Sequence, residues 1–264
     1  SKLNNYLAAK RDCDVALLRG KTEIIRAAAL NARAELYARM GKLQLSLQDY
    51  DRAIKIKGTS YLYLNRAGLR HEMKRYGGAI GDYSKLIDKF NAKKELSKTG
   101  EKSLANLYWR RGHALYELKK LNGASYDFSM AVKYKGKHAR YLNSRCWTLA
   151  KLDQPAEGLP ACKAAVKIKP TVPAYWDSLG YAHYRLKQYS AAMDALNQGL
   201  ALDPNYRWLL YHRGLVYDAI GNPTAAKVEF LKIQKISPQW AVARKKYLKH
   251  GIPELTRPGI PGRL

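Results

Sequence analysis

Residues 173–206 read PAYWDSLGYAHYRLKQYSAAMDALNQGLALDPNY, and the 34 residues after them follow the same plan. Residues 207–240 read RWLLYHRGLVYDAIGNPTAAKVEFLKIQKISPQW, and small residues and helix breakers return in them at the same places. The matching pairs are Gly180 and Gly214, Ala192 and Ala226, and Pro204 and Pro238. A fixed period of this length is typical of proteins built from stacked repeats.

The same period extends toward the start of the chain. It predicts six repeats, over residues 27–59, 60–93, 105–138, 139–172, 173–206 and 207–240. Residues 94–104 interrupt the period as a polar insertion, for which we expect a helix extension and an exposed loop, with contact to a partner as the alternative. We expect residues 1–26 to form an N-terminal capping helix or a degenerate repeat, residues 241–250 a C-terminal capping helix, and residues 251–264 a basic tail rich in proline and glycine.

Each repeat has the pattern of two helices joined by a turn. Apolar and small residues recur at helical spacing in both halves of residues 173–206. They are Trp176, Leu179, Gly180 and His183 in the first half, and Ala192, Leu196 and Gly199 in the second. Proline at 170, 204 and 238 ends the second helix, because proline lacks the backbone N–H that a continuing helix needs. The sequence therefore predicts an all-α protein.

These repeats resemble those of the tetratricopeptide-repeat family. The resemblance rests on six copies in phase, with small residues at the eighth, twentieth and twenty-seventh places. It implies a right-handed superhelix of stacked antiparallel helix pairs with capping helices at its ends. One such pair cannot bury its apolar face alone, so neighbouring pairs stack on each other. The family also implies a scaffold or adaptor that binds other proteins.

The sequence offers no grouping of residues for catalysis. The three cysteines form no CxxC and the six histidines no HExxH, and Gly20-Lys21-Thr22 lacks the earlier glycine of a phosphate-binding loop. We therefore expect a non-catalytic protein with no cofactor and no metal site. Cys146 and Cys162 fall at core places of one repeat. We expect buried free thiols there, with a bridge between the two as the alternative.

In the tetratricopeptide-repeat family the first helix of each pair lines an inner groove, and the resemblance assigns candidate binding residues to it. They are Arg39, Tyr61, Asn65, Trp109, Arg110, His113, Tyr116, Arg140, Trp147, Tyr181, Tyr184, Arg185, Trp208 and Tyr211. Two interpretations stay open. The rings pack between neighbouring first helices, or they form a peptide-binding surface together with the interleaved cations. Arginine holds carboxylates through paired hydrogen bonds, so an acidic segment, extended or helical, is the expected guest.

One activity of the family can be tested on the residues. Members that bind chaperones grip a terminal carboxylate with lysine, asparagine and arginine side chains on three successive repeats. Asn65 and Arg110 match that pattern in this chain. Asn31 and Asn106 stand where lysines belong, and Glu35 stands where an asparagine belongs. An acid in the pocket argues against a clamp for a terminal carboxylate.

The net charge of +27 favours acidic surroundings but leaves the kind of partner open. The leading hypothesis is a scaffold that binds an acidic or extended segment of another protein. The alternative is an RNA- or ribonucleoprotein-associated subunit, and contact with an anionic membrane surface is a third interpretation. No apolar run reaches the length of a membrane helix. The oligomeric state stays open, and so does the compartment, because the chain lacks an initiator Met and a signal segment.

Overall fold

The computed structural model describes residues 2–237, which form thirteen α-helices and no strand. The all-α class predicted from the sequence is confirmed. The described residues make two compact units, unit 1 with residues 2–119 and unit 2 with residues 120–237. The predictions for Pro238, for the capping helix at 241–250 and for the tail at 251–264 lie outside the described residues.

Short turns join the helices in both units. Unit 1 contains α1 (Lys2–Arg19), α2 (Glu23–Arg39), α3 (Leu43–Ile56), α4 (Ser60–Glu72), α5 (Tyr76–Asn91) and α6 (Lys98–Glu117). Unit 2 contains α7 (Leu121–Tyr134), α8 (Ala139–Lys151), α9 (Pro155–Ile168), α10 (Pro173–Arg185), α11 (Tyr189–Leu202), α12 (Arg207–Ala219) and α13 (Pro223–Ile236). Within the units, α2 packs on α3, α4 on α5, α8 on α9, α10 on α11 and α12 on α13.

The turn inside each helix pair has the same backbone conformation. One residue of each turn lies in the left-handed region, with φ between 57° and 78°. These residues are Gly41, Lys74, Lys119, Asp153, Lys187 and Gly221. In most of these turns the next backbone N–H bonds to a carbonyl five residues earlier, as Gln188 does to His183 at 3.0 Å. This closure satisfies carbonyls that the end of the first helix leaves open.

The apolar core of each unit runs from one helix pair into the next. In unit 2, Leu196 of α11 and Leu209 of α12 are fully buried in one cluster. In unit 1, Leu30 of α2, Tyr50 of α3 and Leu62 of α4 share another. Stacking neighbouring pairs thus buries the faces that a single pair would expose.

The insertion lengthens α6. This helix begins at Lys98, and the side chain of Ser97 caps it by accepting a 3.1 Å hydrogen bond from the N–H of Gly100. The first turns of α6 therefore come from residues that the repeat period does not require. They form one wall of the pocket described below.

Cys146 and Cys162 are joined in a disulfide, so the expectation of free thiols is wrong and the alternative of a bridge holds. The two cysteines lie on the paired helices α8 and α9, and their Cα atoms are 5.2 Å apart. That separation falls in the range that a disulfide spans without backbone movement. Both side chains are fully buried.

Candidate functional site

The fourteen candidate residues lie on the first helices of the pairs. Unit 1 carries them on α2, α4 and α6, and unit 2 on α8, α10 and α12. In unit 2 these first helices contact one another directly, α10 lying against both α8 and α12. We call the surface that these first helices form in each unit its inner face, and the two faces differ in what fills them.

Most of the candidate aromatic side chains are buried. Six of them are 8% exposed or less: Trp109, Tyr116, Trp147, Tyr181, Trp208 and Tyr211. His113 is buried as well, and its ring meets that of Trp109 edge-on at 4.5 Å. Tyr61 is 45% exposed, and Tyr184 is half-buried. These burials agree with rings packed between helices, while contact of these residues with a partner stays a prediction.

An aromatic cluster fills the inner face of unit 2. The ring of His212 lies 4.8 Å from that of Tyr181 and 5.8 Å from that of Trp147. Its Nδ1 is 2.7 Å from a carboxylate oxygen of Asp177, and both side chains are buried. The sequence did not predict this His–Asp pair. In the sequence, the pair corresponds to Asp177 on α10 and a histidine on α12 that follows it by 35 residues, one more than the repeat period.

Two cations close this cluster. Lys151 Nζ lies 4.9 Å from the ring centre of Trp147 and donates a 3.3 Å hydrogen bond to the hydroxyl of Tyr181. Arg185 donates to the same hydroxyl at 2.9 Å and to a carboxylate oxygen of Asp153 at 2.7 Å. Arg185, the last residue of α10, thus connects this helix to the turn after α8. The ring–cation pairs of unit 2 hold neighbouring first helices together.

A polar row crosses the inner face of unit 1. Asn31 donates a 2.9 Å hydrogen bond to the Glu35 carboxylate, and Asn65 donates to Asn31 at 3.2 Å and to Glu35 at 3.4 Å. On α6, Arg110 donates through Nε to the Oδ1 of Asn106 at 2.7 Å. Arg39, at the end of α2, is exposed. The row therefore carries an acid on α2 and a cation on α6.

Arg110 also shapes the electrostatics around it. Burial lowers the pKa of His71, and the positive charge of Arg110 lowers it further. Burial raises the pKa of Tyr83, while Arg110 opposes that rise. In unit 2, burial raises the pKa of Tyr175, which the charge of Arg140 counteracts. Burial and the nearby positive charge of Arg110 thus favour the neutral form of His71.

A pocket of about 460 Å³ opens beside the polar row of unit 1. It lies between α4, α5 and the first turns of α6. Apolar side chains form most of its surface: Tyr61, Leu64, Leu86, Phe90 and Leu107. Its volume falls in the range of small ligand sites.

Residues 2–237 contain neither a helix suited to cross a membrane nor a cluster of metal ligands. No helix in that range is both long and apolar enough for a membrane span. Over the same range, no three side chains among His, Cys, Asp and Glu come together as metal ligands would.

The comparisons with known proteins agree with this geometry. A family model described as "Tetratricopeptide repeat" matches residues 27–59 and 209–239, and one described as "TPR repeat" matches residues 180–221. The Hsp70-Hsp90 organizing protein of Triticum aestivum is 25% identical over 213 residues, which make up 69% of this chain and 36% of that protein. The chain thus spans about a third of the length of this relative.

Solved structures share the fold. A tetratricopeptide repeat protein from Parabacteroides merdae matches with a TM-score of 0.66 and 17% identity, over 92% of this chain and 91% of that one. YrrB, described as a TPR protein with an unusual peptide-binding site, matches with a TM-score of 0.54 and 20% identity, over 75% of this chain and 97% of that one. Paired helices that share a core and recur every 34 residues define a helical-repeat protein. The chain carries tetratricopeptide repeats at residues 27–59 and 180–239, within a tandem-repeat fold that the solved structures share.

Proposed function

We propose that this protein is a non-catalytic scaffold that binds a segment of a partner protein on the inner face of unit 1. One observation carries the choice of face. The inner face of unit 2 is filled by its own rings, whereas unit 1 has the 45%-exposed Tyr61 and an open pocket beside the cation of Arg110. Exposed aromatic surface beside arginine is typical of interface hot spots.

The charge of the protein supports an acidic partner. The net charge of +27 attracts anionic segments over distance, and Arg110 offers a local contact for a carboxylate. The relatives support a protein partner in general terms, because one is named as an organizer of Hsp70 and Hsp90 and one solved neighbour as a peptide binder.

Glu35 argues for a partner other than a terminal carboxylate. Its carboxylate already accepts hydrogen bonds from Asn31 and Asn65, at the place where a clamp for such a group would need donors. A terminal carboxylate held at that place would meet the like charge of Glu35, whereas an internal segment can place its acidic side chains beside Arg110 instead. We therefore propose an internal acidic segment as the guest.

Selection from a random peptide library tests this function. We expect internal acidic peptides to be enriched on the intact protein, and calorimetry to show that Arg110→Ala weakens the selected peptides by about tenfold, as loss of a charged hydrogen bond does. Arg52→Ala is the matched control, because that arginine lies on the second helix α3 with its side chain 65% exposed.

Two results would contradict the proposal. Peptides that bind equally to Arg110→Ala and to the intact protein would place binding away from Arg110. A library that yields no binder would refute peptide binding by this protein. The competing function has its own assay. Binding of a 20-nucleotide RNA that is tighter than any selected peptide at about 0.15 M salt would favour the RNA alternative.

A further inference from the structure

The pocket of unit 1 owes one wall to the insertion. Thr99, Lys102 and Ser103 line it from the first turns of α6, which precede the repeat that starts at residue 105. The opposite side comes from Tyr61 and Leu64 of α4. A repeat without the insertion would lack this wall, so the pocket is a feature of this chain beyond its repeat plan.

The pocket exposes apolar surface to water. Leu64 is 36% exposed and Tyr61 45%, and behind them the lining consists of buried leucines and Phe90. Covering such surface is favourable because it removes apolar area from water. A concave apolar site of this size favours an occupant with a bulky apolar side chain.

The positive charge around the pocket favours acidic residues next to that apolar side chain. Residues 89–102 contain five lysines and two glutamates, and the lining itself contains Lys102 and no acid. Asn106 lines the pocket and also accepts the hydrogen bond from Arg110, so the pocket is continuous with the polar row. An occupant that reaches both carries negative charge next to its apolar group.

We propose that this pocket binds a leucine, methionine or phenylalanine side chain of a partner segment, flanked by glutamate or aspartate that pairs with Lys102. The proposal rests on the proposed function and specifies its partner. It commits to a peptide rather than a free small molecule, because the adjoining row offers contacts along an extended chain.

Three synthetic peptides test the assignment on the full chain. They are Ac-GSEEFEEGS-NH2, the same peptide with alanine in place of phenylalanine, and Ac-GSKKFKKGS-NH2. We expect the first to bind, the alanine version to bind at least tenfold more weakly, and the lysine version not to bind. Methyl signals of Leu64, Leu86 and Leu107 in NMR spectra should shift with the first peptide. Lys102→Ala should weaken it about threefold, and less at high salt.

A pocket-filling variant provides the decisive control. Thr99→Trp should remove the preference for phenylalanine over alanine, whereas Ala92→Trp, at an exposed residue outside the lining, should keep it. Equal affinity for the first two peptides, or unmoved leucine signals, overturns the pocket assignment, and equal binding of the lysine peptide overturns the acidic flank. If library peptides still depend on Arg110 in that case, the proposed function stands without the pocket. If no peptide binds in either experiment, both fall.

Discussion

Arg66 on α4 donates two hydrogen bonds to Asp82 on α5, from Nε to Oδ2 at 2.9 Å and from Nη2 to Oδ1 at 2.6 Å. The same pair of places, 16 residues apart, joins Arg33 to Asp49 and Arg213 to Glu229. The arginine also reaches the preceding helix pair, as Arg66 does to Asp51 at 2.7 Å. We call this arrangement of one arginine and its acidic partners the clasp. It connects the two helices of a repeat and links them to the previous repeat.

Removing the buried acid of the clasp should cost far more stability than removing the exposed one. The side chain of Asp82 is 3% exposed, and Asp82→Ala leaves the partly buried Arg66 and Arg70 without it, which should cost about 3 kcal/mol. Asp51 also pairs with Arg66, but its side chain is 42% exposed. Asp51→Ala should therefore cost only about 0–1 kcal/mol. Urea unfolding followed by circular dichroism measures both, and equal losses would contradict the role assigned to burial.

The turn within each helix pair predicts a stabilising substitution. Lys187 has φ 57° in a conformation that costs an ordinary residue about 1 kcal/mol, while Gly221 holds the same place in the next repeat without that cost. Lys187→Gly should therefore raise the melting temperature by about 2 °C. Lys163→Gly, at an exposed place within α9, should lower it by a similar amount. A loss of stability in both variants would refute the strain at Lys187.

The repeat period predicted the helices well because helix pairing depends on local spacing. Gly180 and Ala192, identified as small landmarks, do lie where α10 and α11 approach closely. The depth of burial could not be predicted in the same way. Trp147 is 2% exposed because the ring of Tyr181, from the next first helix, lies 5.0 Å away, and a place in the repeat does not state which ring covers it.

The choice between free thiols and a disulfide could not be made from the sequence, nor could the pocket be predicted, for a related reason. Free thiols and a bridge both fit the spacing of Cys146 and Cys162, and only the approach of α8 to α9 distinguishes them. The insertion at 94–104 predicted a helix extension. Whether that extension forms the wall of a cavity depends on where the packing of α6 on α5 places it relative to α4, which the spacing of residues does not specify.

His71 should make the protein less stable in mild acid. Its pKa in the folded chain is lowered by burial and by Arg110, whereas in the unfolded chain it titrates near the ordinary value of about 6.5. The unfolded state therefore binds the proton first, and stability falls as the pH drops below about 6.5 until the folded form also protonates. Unfolding midpoints at pH 7.5 and 5.5 should differ less in His71→Gln than in the intact protein. His138, whose pKa is lowered in the same direction, accounts for part of the remaining difference. Unchanged pH dependence in His71→Gln would contradict the assignment.

Gly180 lies where α10 and α11 approach closely, so a methyl group added there should lower the free energy of unfolding. A Cβ at Gly180 would lie 2.6 Å from Cγ of Leu196, a side chain that is fully buried and has no room to withdraw. Gly180→Ala should therefore cost about 1–3 kcal/mol. Gly68→Ala is the matched control, because a Cβ there meets nothing within 4 Å and the change should add up to about 1 kcal/mol of helix stability. Cutting back Leu196 separates crowding from other causes. In the double variant Gly180→Ala/Leu196→Ala the new methyl has space, so the loss should be smaller than the sum of the two single losses, whereas strict additivity would show that the two residues do not compete for the same volume.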